Sequence, residues 1–298
     1  QKVKNIVFTA NIRLMLVSII IPAHKQEKTI YQDVSRIYDV MSQTRWDFEI
    51  ILVTDGSPDK TLEEAKKFKK PNYQAVGYPT NRGKGYAVRY GMARAKGDYI
   101  AFIDSGMDID PNGISMILEH MQWYDADIIV ASKRHPASES NFPPIRRFYS
   151  WGYHFLTRIL FRVPVRDTQV GLKVYKRKVL EVVLPRLVIK QFAFDIELLA
   201  VAKYLGFTRI YEAPVKVHIE TEDSHFSKFL FFDRYIRNML VDTLAVFYRM
   251  YILRYYHPDN EPKWRYDKEL DMRINSWESS SPFSVHDHNL PQKPHSQN

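Results

Sequence analysis

The sequence predicts an α/β fold, with a mostly parallel sheet flanked by helices and with amphipathic helices near the C-terminus. Strand-like and helix-like segments alternate through the first half of the chain, as they do where helices cover the faces of a sheet. The strand-like segments are continuous apolar runs, which is typical of parallel strands buried on both faces. From about residue 226 the sequence becomes rich in Phe, Tyr, Leu and Met, with Lys and Arg interspersed.

The predicted elements follow one another closely. Residues 16–22 form a β-branched run ended by a proline, which predicts a buried strand, and 30–41 has apolar residues at helical spacing. A second strand is predicted at 48–53, and Asp59 can cap the helix that follows it. The next predicted elements are a strand at 74–78, a loop at 81–85 that opens a helix running to about residue 95, strands at 99–103 and 127–132, and helices at 143–161 and 193–205.

Three regions are predicted. Residues 1–225 form the α/β domain, 226–256 form amphipathic helices, and 257–298 form a polar tail, which we expect to be disordered. The helices of 226–256 could lie in a membrane interface or form an oligomer contact. The alternative is a core helix that packs back on the sheet.

Composition and charge restrict the partners. Lys and Arg number 43 against 34 Asp and Glu, and the resulting net charge of +9 favours an anionic partner such as phosphate or anionic lipid. No nucleic-acid-binding motif is recognisable, so nucleic acid is not expected. The absence of Cys excludes disulfides and thiolate metal sites and suits a reducing, cytoplasmic location. The apolar stretches 14–23 and 242–256 are shorter than the ~20 residues of a membrane-spanning helix, so no anchor is predicted.

Three carboxylates, Asp104, Asp108 and Asp110, follow the predicted strand at 99–103. Open α/β sheets bind ligands at this end of their strands, and hard divalent cations prefer oxygen ligands. The segment therefore predicts a cation site. The alternative is that Asp108 or Asp110 caps the helix that begins near Pro111.

Two further loops carry candidate ligand contacts. Asp55, in an Asp-Gly-Ser turn after the second strand, could accept hydrogen bonds from a base or ribose, or it could form an ordinary turn. Gly83-Lys84-Gly85 opens a helix, where backbone N–H groups and Lys84 could meet a phosphate. Its spacing fits neither a P-loop nor a dinucleotide fingerprint.

The order of these motifs resembles glycosyltransferase family 2, and within it the polyprenyl-phosphate group that contains dolichyl-phosphate glucose and mannose synthases. The matching segments are IPAHKQE at 21–27, DGSPD at 55–59, NRGKGYAV at 81–88, DTQVGLK at 167–173 and FDIELL at 194–199. Two positions depart from the family pattern. Thr54 replaces the first Asp of an Asp-Asp-Gly-Ser motif, and Asp104-Ser105-Gly106 replaces Asp-x-Asp, so that either Asp108 supplies the second metal ligand or the site binds metal weakly.

The resemblance, which covers residues 16–220, implies a GT-A (Rossmann-like) fold and a metal-dependent hexosyltransferase using Mg²⁺ or Mn²⁺. It implies inverting transfer of a hexose from a donor of the UDP-glucose or GDP-mannose type to a polyprenyl (dolichyl-type) phosphate. We expect a peripheral enzyme at the cytoplasmic side of a membrane surface, which could be a homo-oligomer. The alternatives are a family 2 enzyme with a saccharide hydroxyl acceptor and a non-catalytic nucleotide-sugar binder, the latter suggested by Gly106.

The resemblance also implies residue roles. The donor would be held by Pro22, Ala23, His24, Glu27, Asp55, Lys84 and Asp104, and the metal by Asp104 and Asp108. The acceptor phosphate would be met by Lys133 or Arg134 and by Arg146 or Arg147. The predicted catalytic residues are Asp104, Asp167 and Gln169, with Asp167 as the base for a hydroxyl acceptor.

Each of these roles has an alternative. Arg146 and Arg147 could lie on a solvated face or contact lipid headgroups. Asp167 and Gln169 could brace a loop. Asp195 and Glu197 could be structural charges at a helix N-terminus.

Overall fold

A computed structural model describes residues 15–138, 144–191, 193–217, 227–260, 264–270 and 272–275, with backbone alone for 144–150, 227–236, 264–265 and 274–275. The strands in this part of the chain are β1 (Leu16–Ala23), β2 (Asp47–Asp55), β3 (Tyr73–Tyr78), β4 (Tyr99–Ile103), β5 (Ile128–Ser132), β6 (Leu172–Lys176), β7 (Ile210–Pro214), β8 (Trp264–Asp267) and β9 (Met272–Asn275). The helices are α1 (Ile30–Ser42), α2 (Thr61–Lys67), α3 (Lys84–Met92), α4 (Asn112–Trp123), α5 (Pro144–Phe161), α6 (Arg177–Val183), α7 (Phe194–Tyr204) and α8 (Ser227–Phe247). A 3₁₀ turn at Leu184–Arg186 follows α6, and a π-helical turn at Tyr248–Ile252 follows α8.

The first seven strands form one mixed sheet in the order β3-β2-β1-β4-β6-β5-β7. β6 runs antiparallel to both β4 and β5, and the other pairings in the sheet are parallel. The prediction of a mostly parallel sheet flanked by helices is confirmed. The chain passes outward from β1 through β2 to β3 and then returns to the other side of β1. Open α/β sheets bind ligands in a crevice where the strand order reverses in this way, which here is at the carboxyl ends of β1 and β4.

The core lies on both faces of the central strands. β1 is buried from Val17 to Ala23 because β2 and β4 flank it and helices cover it. α3 packs on β1 and β2, and α4 packs on β5, β6 and β7. α1 buries an apolar stripe at helical spacing, which is why its sequence pattern predicts it well. This packing holds the strand ends in fixed positions.

The C-terminal segment returns to the domain. α8 packs against α5 and α7, and it buries Val246, while Met250 of the π-helical turn is also buried. The polar tail predicted from residue 257 is corrected in part, because β8 and β9 form an antiparallel hairpin whose turn buries Leu270. Residues 276–298 lie outside the described residues. Among the helices that the structure describes, none has the length and apolarity needed to cross a membrane.

Candidate active site

The predicted site motifs meet at one edge of the sheet. β1, β2 and β4 are parallel, so their ends at Ala23, Asp55 and Ile103 lie at the same edge. β6 runs the opposite way and therefore starts there, with Leu172 paired to Ile103. Segments far apart in the sequence thus surround the crevice between β1 and β4.

Asp55 holds the loop that opens α3. Its buried carboxylate accepts hydrogen bonds from the Tyr78 hydroxyl at 2.9 Å and from the backbone N–H groups of Arg82 and Gly83 at 2.7 and 2.9 Å. N–H groups at the start of a helix have no partner within the helix, and Asp55 supplies one. The carboxylate that the sequence suggested for a nucleoside contact is thus engaged in shaping the loop.

The same loop requires a glycine at position 83. Gly83 has φ +99°, and a Cβ there would lie 2.6 Å from the side chain of Gln191. The Tyr86 N–H donates to the Lys190 carbonyl at 3.1 Å, which fastens the first turn of α3 to the same segment. The loop is therefore held by β2 on one side and by residues 190–191 on the other.

Lys84 and Asp104 form an ion pair at the centre of the crevice. Their Nζ and carboxylate oxygens lie 2.8 Å apart, and both side chains are partly exposed. Charged groups that face solvent at such a distance can exchange partners when an anion approaches the lysine and a cation approaches the carboxylate. The predicted diphosphate contact and the predicted metal ligand are thus brought together.

Gly171 presses against Asp104 from the other side. The Asp104 N–H donates to the Gly171 carbonyl at 2.9 Å, and a Cβ at position 171 would lie 2.1 Å from Asp104 Oδ2. Gly171 belongs to the DTQVGLK motif at 167–173, but the motif by itself predicts no role for it. Only the pairing of β4 with β6 brings the two residues together.

Asp108 and Asp110, the other two carboxylates that follow β4, have different surroundings. Asp110 accepts a hydrogen bond from the Asn112 N–H at 3.0 Å at the start of α4, so its capping alternative is confirmed. Asp108 is exposed, and no group of three or more His, Asp or Glu side chains suited to a metal occurs in the part of the chain that the structure describes. An ion held by two carboxylates would take its remaining ligands from water and substrate phosphates, so the metal-binding roles of Asp104 and Asp108 remain predictions.

The loop after β1 lies beside Asp55. Pro22 and Ala23 are the buried end of the strand, and His24 Nδ1 lies 2.9 Å from the Asp55 carbonyl oxygen. The exposed Glu27 accepts a hydrogen bond from the Lys60 N–H at 3.1 Å. The predicted donor residues 22–27 and 55 therefore lie close together, with Pro22, Ala23 and Asp55 buried and Glu27 exposed.

Asp59 stabilises the turn between these loops. Burial alone would raise the pKa of the Asp59 carboxyl, but hydrogen bonds from Ser57 and Thr61 lower that pKa to about 2. The carboxylate thus stays ionised and keeps the turn closed at physiological pH.

Asp167 and Gln169 lie in the loop before β6. The Asp167 carboxylate accepts the backbone N–H groups of Lys133 and Gln169, each at 3.3 Å. These contacts match the bracing alternative, since they join the end of β5 to the start of β6. The roles of Asp167 as a base and of Gln169 as a catalytic residue remain predictions.

Two basic residues follow β5. Lys133 and Arg134 are half-buried there. Burial lowers the pKa of His154 on α5, the guanidinium groups of Arg134 and Arg158 lower it further, and the carboxylate of Glu212 opposes the shift. The side chains of Arg146 and Arg147 lie outside the described residues, so their predicted role stays untested.

Asp195 and Glu197 belong to the core. The fully buried Lys173 donates to Asp195 at 2.7 Å, and Glu197 accepts the N–H groups of Val188 and Ile189 and the Tyr256 hydroxyl. Their structural alternative is therefore the observed one. Sequence reasoning missed the burial of Lys173, although a lysine within the apolar run of β6 was a possible signal.

Comparison with known proteins agrees with this geometry. A family model described as Glycosyl transferase family 2 matches residues 18–184, more than half of the chain. A dolichyl-phosphate beta-glucosyltransferase of Drosophila melanogaster is 30% identical over 206 residues, 63% of this chain and 63% of that protein. The Homo sapiens dolichyl-phosphate beta-glucosyltransferase is 29% identical over 203 residues, again 63% of each chain. The chain spans less than two thirds of the length of these curated relatives.

Solved structures share the fold. Glucosyl-3-phosphoglycerate synthase from Mycobacterium tuberculosis, in complex with Mn²⁺, uridine diphosphate and phosphoglyceric acid, superposes with a TM-score of 0.56 at 19% identity, covering 77% of this chain and 78% of that one. Mannosyl-3-phosphoglycerate synthase from Rubrobacter xylanophilus superposes with a TM-score of 0.58 at 16% identity, covering 79% of this chain and 74% of that one. At these identities the likeness concerns the fold alone.

Proposed function

The chain belongs to glycosyl transferase family 2, and from this premise we propose that it transfers a hexose, with inversion, from a nucleotide-sugar to a polyprenyl phosphate at a membrane surface. The observation that carries the proposal is the pairing of Lys84 with Asp104 at the crevice between β1 and β4. The relatives named as dolichyl-phosphate beta-glucosyltransferases favour a donor of the UDP-glucose type and a dolichyl-type acceptor.

The donor side of the site would use the Lys84–Asp104 ion pair. Lys84 would leave Asp104 to meet the diphosphate, whose negative charge must be stabilised as it departs. Asp104 and Asp108 would hold a Mg²⁺ or Mn²⁺ ion, which would neutralise the same charge. Residues 22–27 and the loop shaped by Asp55 would contact the nucleoside.

The acceptor side fits an anion. Lys133 and Arg134 follow the end of β5, and the guanidinium groups of Arg134 and Arg158 lie near His154 of α5. A phosphate monoester has its second pKa at about 6, so it is already an ionised nucleophile near neutral pH. A strong general base is then unnecessary, which agrees with an Asp167 carboxylate that already accepts two backbone hydrogen bonds.

Exposed apolar side chains occur on α5, the helix that carries His154 near Arg134, and on α8. We define the apolar face as Trp151, Phe155 and Ile159 of α5 with Val241, Leu244, Tyr248 and Ile252 of α8 and its π-helical turn. Trp151 is 59% exposed and stacks on Phe155, with the two ring centroids 5.7 Å apart. The Tyr153 hydroxyl lies 3.0 Å from Thr243 Oγ1, which joins the two helices side by side. Aromatic and aliphatic side chains of this kind can enter a membrane interface, where a lipid phosphate would be found.

The proposal is tested first on the donor. We expect one class of nucleotide-sugar, screened with Mn²⁺ among UDP- and GDP-linked hexoses, to raise the Tm and to label a lipid extract with radioactive hexose. Asp104→Ala should abolish the transfer. Asp110→Ala is the matched control, because that carboxylate caps α4 in the same segment, and it should leave transfer within about threefold of the wild type while costing about 1 kcal/mol of stability.

Two outcomes would contradict the proposal. Label that appears only in water-soluble glycan would indicate a saccharide hydroxyl acceptor. Nucleotide binding that is indifferent to Mn²⁺ and to Asp104→Ala, without transfer to any acceptor, would indicate a non-catalytic binder.

A further inference from the structure

The hairpin β8–β9 is attached to the domain through its turn. Asp267 Oδ1 accepts the N–H groups of Glu269 and Leu270 at 3.0 and 3.1 Å, which fixes the turn. Leu270 is fully buried, and β9 packs against the 3₁₀ turn at Leu184–Arg186. Burial of one leucine side chain contributes about 2 kcal/mol to stability, so the hairpin turn is held against the domain.

Glu269, carried by this turn, reaches the loop of the donor site. Its Oε2 lies 2.5 Å from Arg82 Nη1 and accepts the Tyr86 hydroxyl at 3.0 Å. Arg82 Nη1 also donates to the Tyr86 hydroxyl oxygen at 2.9 Å, which closes a ring of three groups. Burial, and then the neighbouring Asp267 and Glu269, raise the pKa of Tyr86, so its hydroxyl stays protonated and donates.

The aromatic surface under Arg82 restricts it further. Its guanidinium lies 4.9 Å from the ring centroid of Tyr86 and 5.7 Å from that of Tyr78. The hydroxyl of Tyr78 is the same one that donates to Asp55. The side chain of Arg82 therefore has a defined position between two tyrosines and Glu269.

A second contact ties the same residue of the hairpin to the other end of α3. Arg94 Nη2 donates to the Glu269 carbonyl at 2.5 Å, and its guanidinium lies 3.5 Å from the ring centroid of Tyr90. Arg82 precedes α3 and Arg94 follows it. Glu269 thus contacts residues on both sides of α3, the helix that begins with Lys84.

These contacts act on the side chain of Arg82, whereas Asp55 binds its backbone. The Arg82 N–H is bound by Asp55, and the Arg82 guanidinium is bound by Glu269, so the residue before Gly83 and Lys84 is held by both backbone and side chain. The hairpin lies beyond residue 184, where the match to the family model ends. The family match therefore assigns no role to this attachment.

We propose that the β8–β9 hairpin is a positioning element of the donor site, in which Glu269 fixes Arg82 and Tyr86 and thereby the loop that presents Lys84 to a nucleoside diphosphate. The proposal rests on the proposed function for the identity of the ligand. Glu269 touches no reacting atom in this scheme and acts through Arg82.

The test measures nucleotide binding and amide exchange on the full chain. For Glu269→Ala we expect the Kd for UDP or GDP with Mn²⁺, measured by calorimetry, to rise about three- to tenfold. Hydrogen exchange of residues 81–87 should become faster in the ligand-free protein, because the loop loses its outer support. Glu269→Gln, which keeps an acceptor for Tyr86 but loses the charge, should fall between Glu269→Ala and the wild type.

Two comparisons separate positioning from general destabilisation. Glu119→Ala is the matched control, since Glu119 also accepts hydrogen bonds from an arginine, Arg45, and from an aromatic side chain, Trp46, but on α4. It should change neither nucleotide affinity nor exchange in residues 81–87. Arg82→Ala combined with Glu269→Ala should weaken nucleotide binding by less than the sum of the two single effects, since the two residues share one contact.

The proposal would be overturned if hydrogen exchange of residues 81–87 were the same in Glu269→Ala as in the wild type. It would also be overturned if Glu269→Ala bound the nucleotide more tightly, because the hairpin would then oppose binding. The exchange measurement needs no ligand. If the wild type binds neither UDP nor GDP, the proposed function is contradicted. The exchange measurement still shows whether Glu269 holds the loop in place.

Discussion

At the scale of single residues, Gly171 controls how closely the start of β6 approaches Asp104. The space for a Cβ at position 171 is occupied by the Asp104 carboxylate, at 2.1 Å. Lys84 contacts that carboxylate from another direction at 2.8 Å. The position of Asp104 thus depends on the absence of a side-chain carbon at position 171, immediately before β6.

This contact predicts the effect of Gly171→Ala. The new methyl group would displace Asp104 by about 1 Å or more, and a displacement of that size at a reacting centre costs about 10²-fold in kcat/KM. The fold should lose only about 1–3 kcal/mol of stability, as for other overpacked sites. Transfer assays and thermal unfolding would measure the two effects separately.

Gly113→Ala provides the control for this prediction. A Cβ at Gly113 in α4 would lie 3.5 Å from Leu172 and 3.6 Å from Val215, an ordinary contact distance. We expect its activity to equal that of the wild type. Equal losses of activity in both variants would show that Asp104 has no special sensitivity to the strand beside it.

At the scale of elements, β6 and α7 are joined by a buried ion pair. Lys173 of β6 is 0% exposed and lies 2.7 Å from Asp195 of α7, and it also donates to the Val170 carbonyl at 2.6 Å. Burial lowers the pKa of Lys173, and the charge of Asp195 opposes that shift. The pair links the strand behind Asp104 to the helix that follows residues 190–191.

Removing one partner of this pair should be costly. Asp195→Ala leaves the Lys173 ammonium buried without its counter-charge, which we expect to cost about 3–5 kcal/mol in urea unfolding. The double replacement Lys173→Met with Asp195→Leu should recover most of that loss, because apolar groups of similar size need no partner.

An exposed pair gives the comparison. Lys67 and Glu64 lie 2.6 Å apart on the surface of α2, and Glu64→Ala should cost about 0.5 kcal/mol or less. A cost for Asp195→Ala as small as that for Glu64→Ala would contradict the structural role of the buried pair.

At the scale of the whole molecule, the net charge of +9 and the apolar face of α5 and α8 suit the same partner. α8 divides its apolar residues between two environments. Val246 is buried against the domain, whereas Leu244 is 51% exposed. The core-packing alternative therefore describes one side of the helix, and the proposed membrane contact concerns the other.

The proposed membrane contact predicts vesicle binding. Trp151→Ser with Phe155→Ser should weaken binding to phosphatidylcholine vesicles that contain phosphatidylserine by tenfold or more, since each large apolar side chain contributes about 1.5–3 kcal/mol when buried. Co-sedimentation would measure the binding. Trp123→Ser is the control, because Trp123 is 85% exposed on α4 and lies outside the apolar face. Identical losses in both variants, or no binding by the wild type, would contradict the proposed contact.

Much of the sheet could be predicted because its strands are long apolar runs. The strand predicted at 16–22 is β1 at Leu16–Ala23, and the helix predicted at 30–41 is α1 at Ile30–Ser42. β6 and β7 were not predicted, since a buried lysine interrupts the first and exposed residues interrupt the second. The hairpin was missed because it is attached by distant contacts, namely those of Leu270, Glu269 and the 3₁₀ turn at Leu184–Arg186, rather than by an apolar pattern of its own.

The sequence by itself determined the family, the apolar strands and the loops in which Asp55, Lys84 and Asp104 stand, because periodicity and motif spacing are local properties. The tertiary structure alone decided that β6 runs antiparallel beside β4, that Gly171 abuts Asp104, and that Glu269 reaches Arg82. These contacts join residues far apart along the chain, and the free energy of packing the whole domain, which no local pattern contains, determines which of them form.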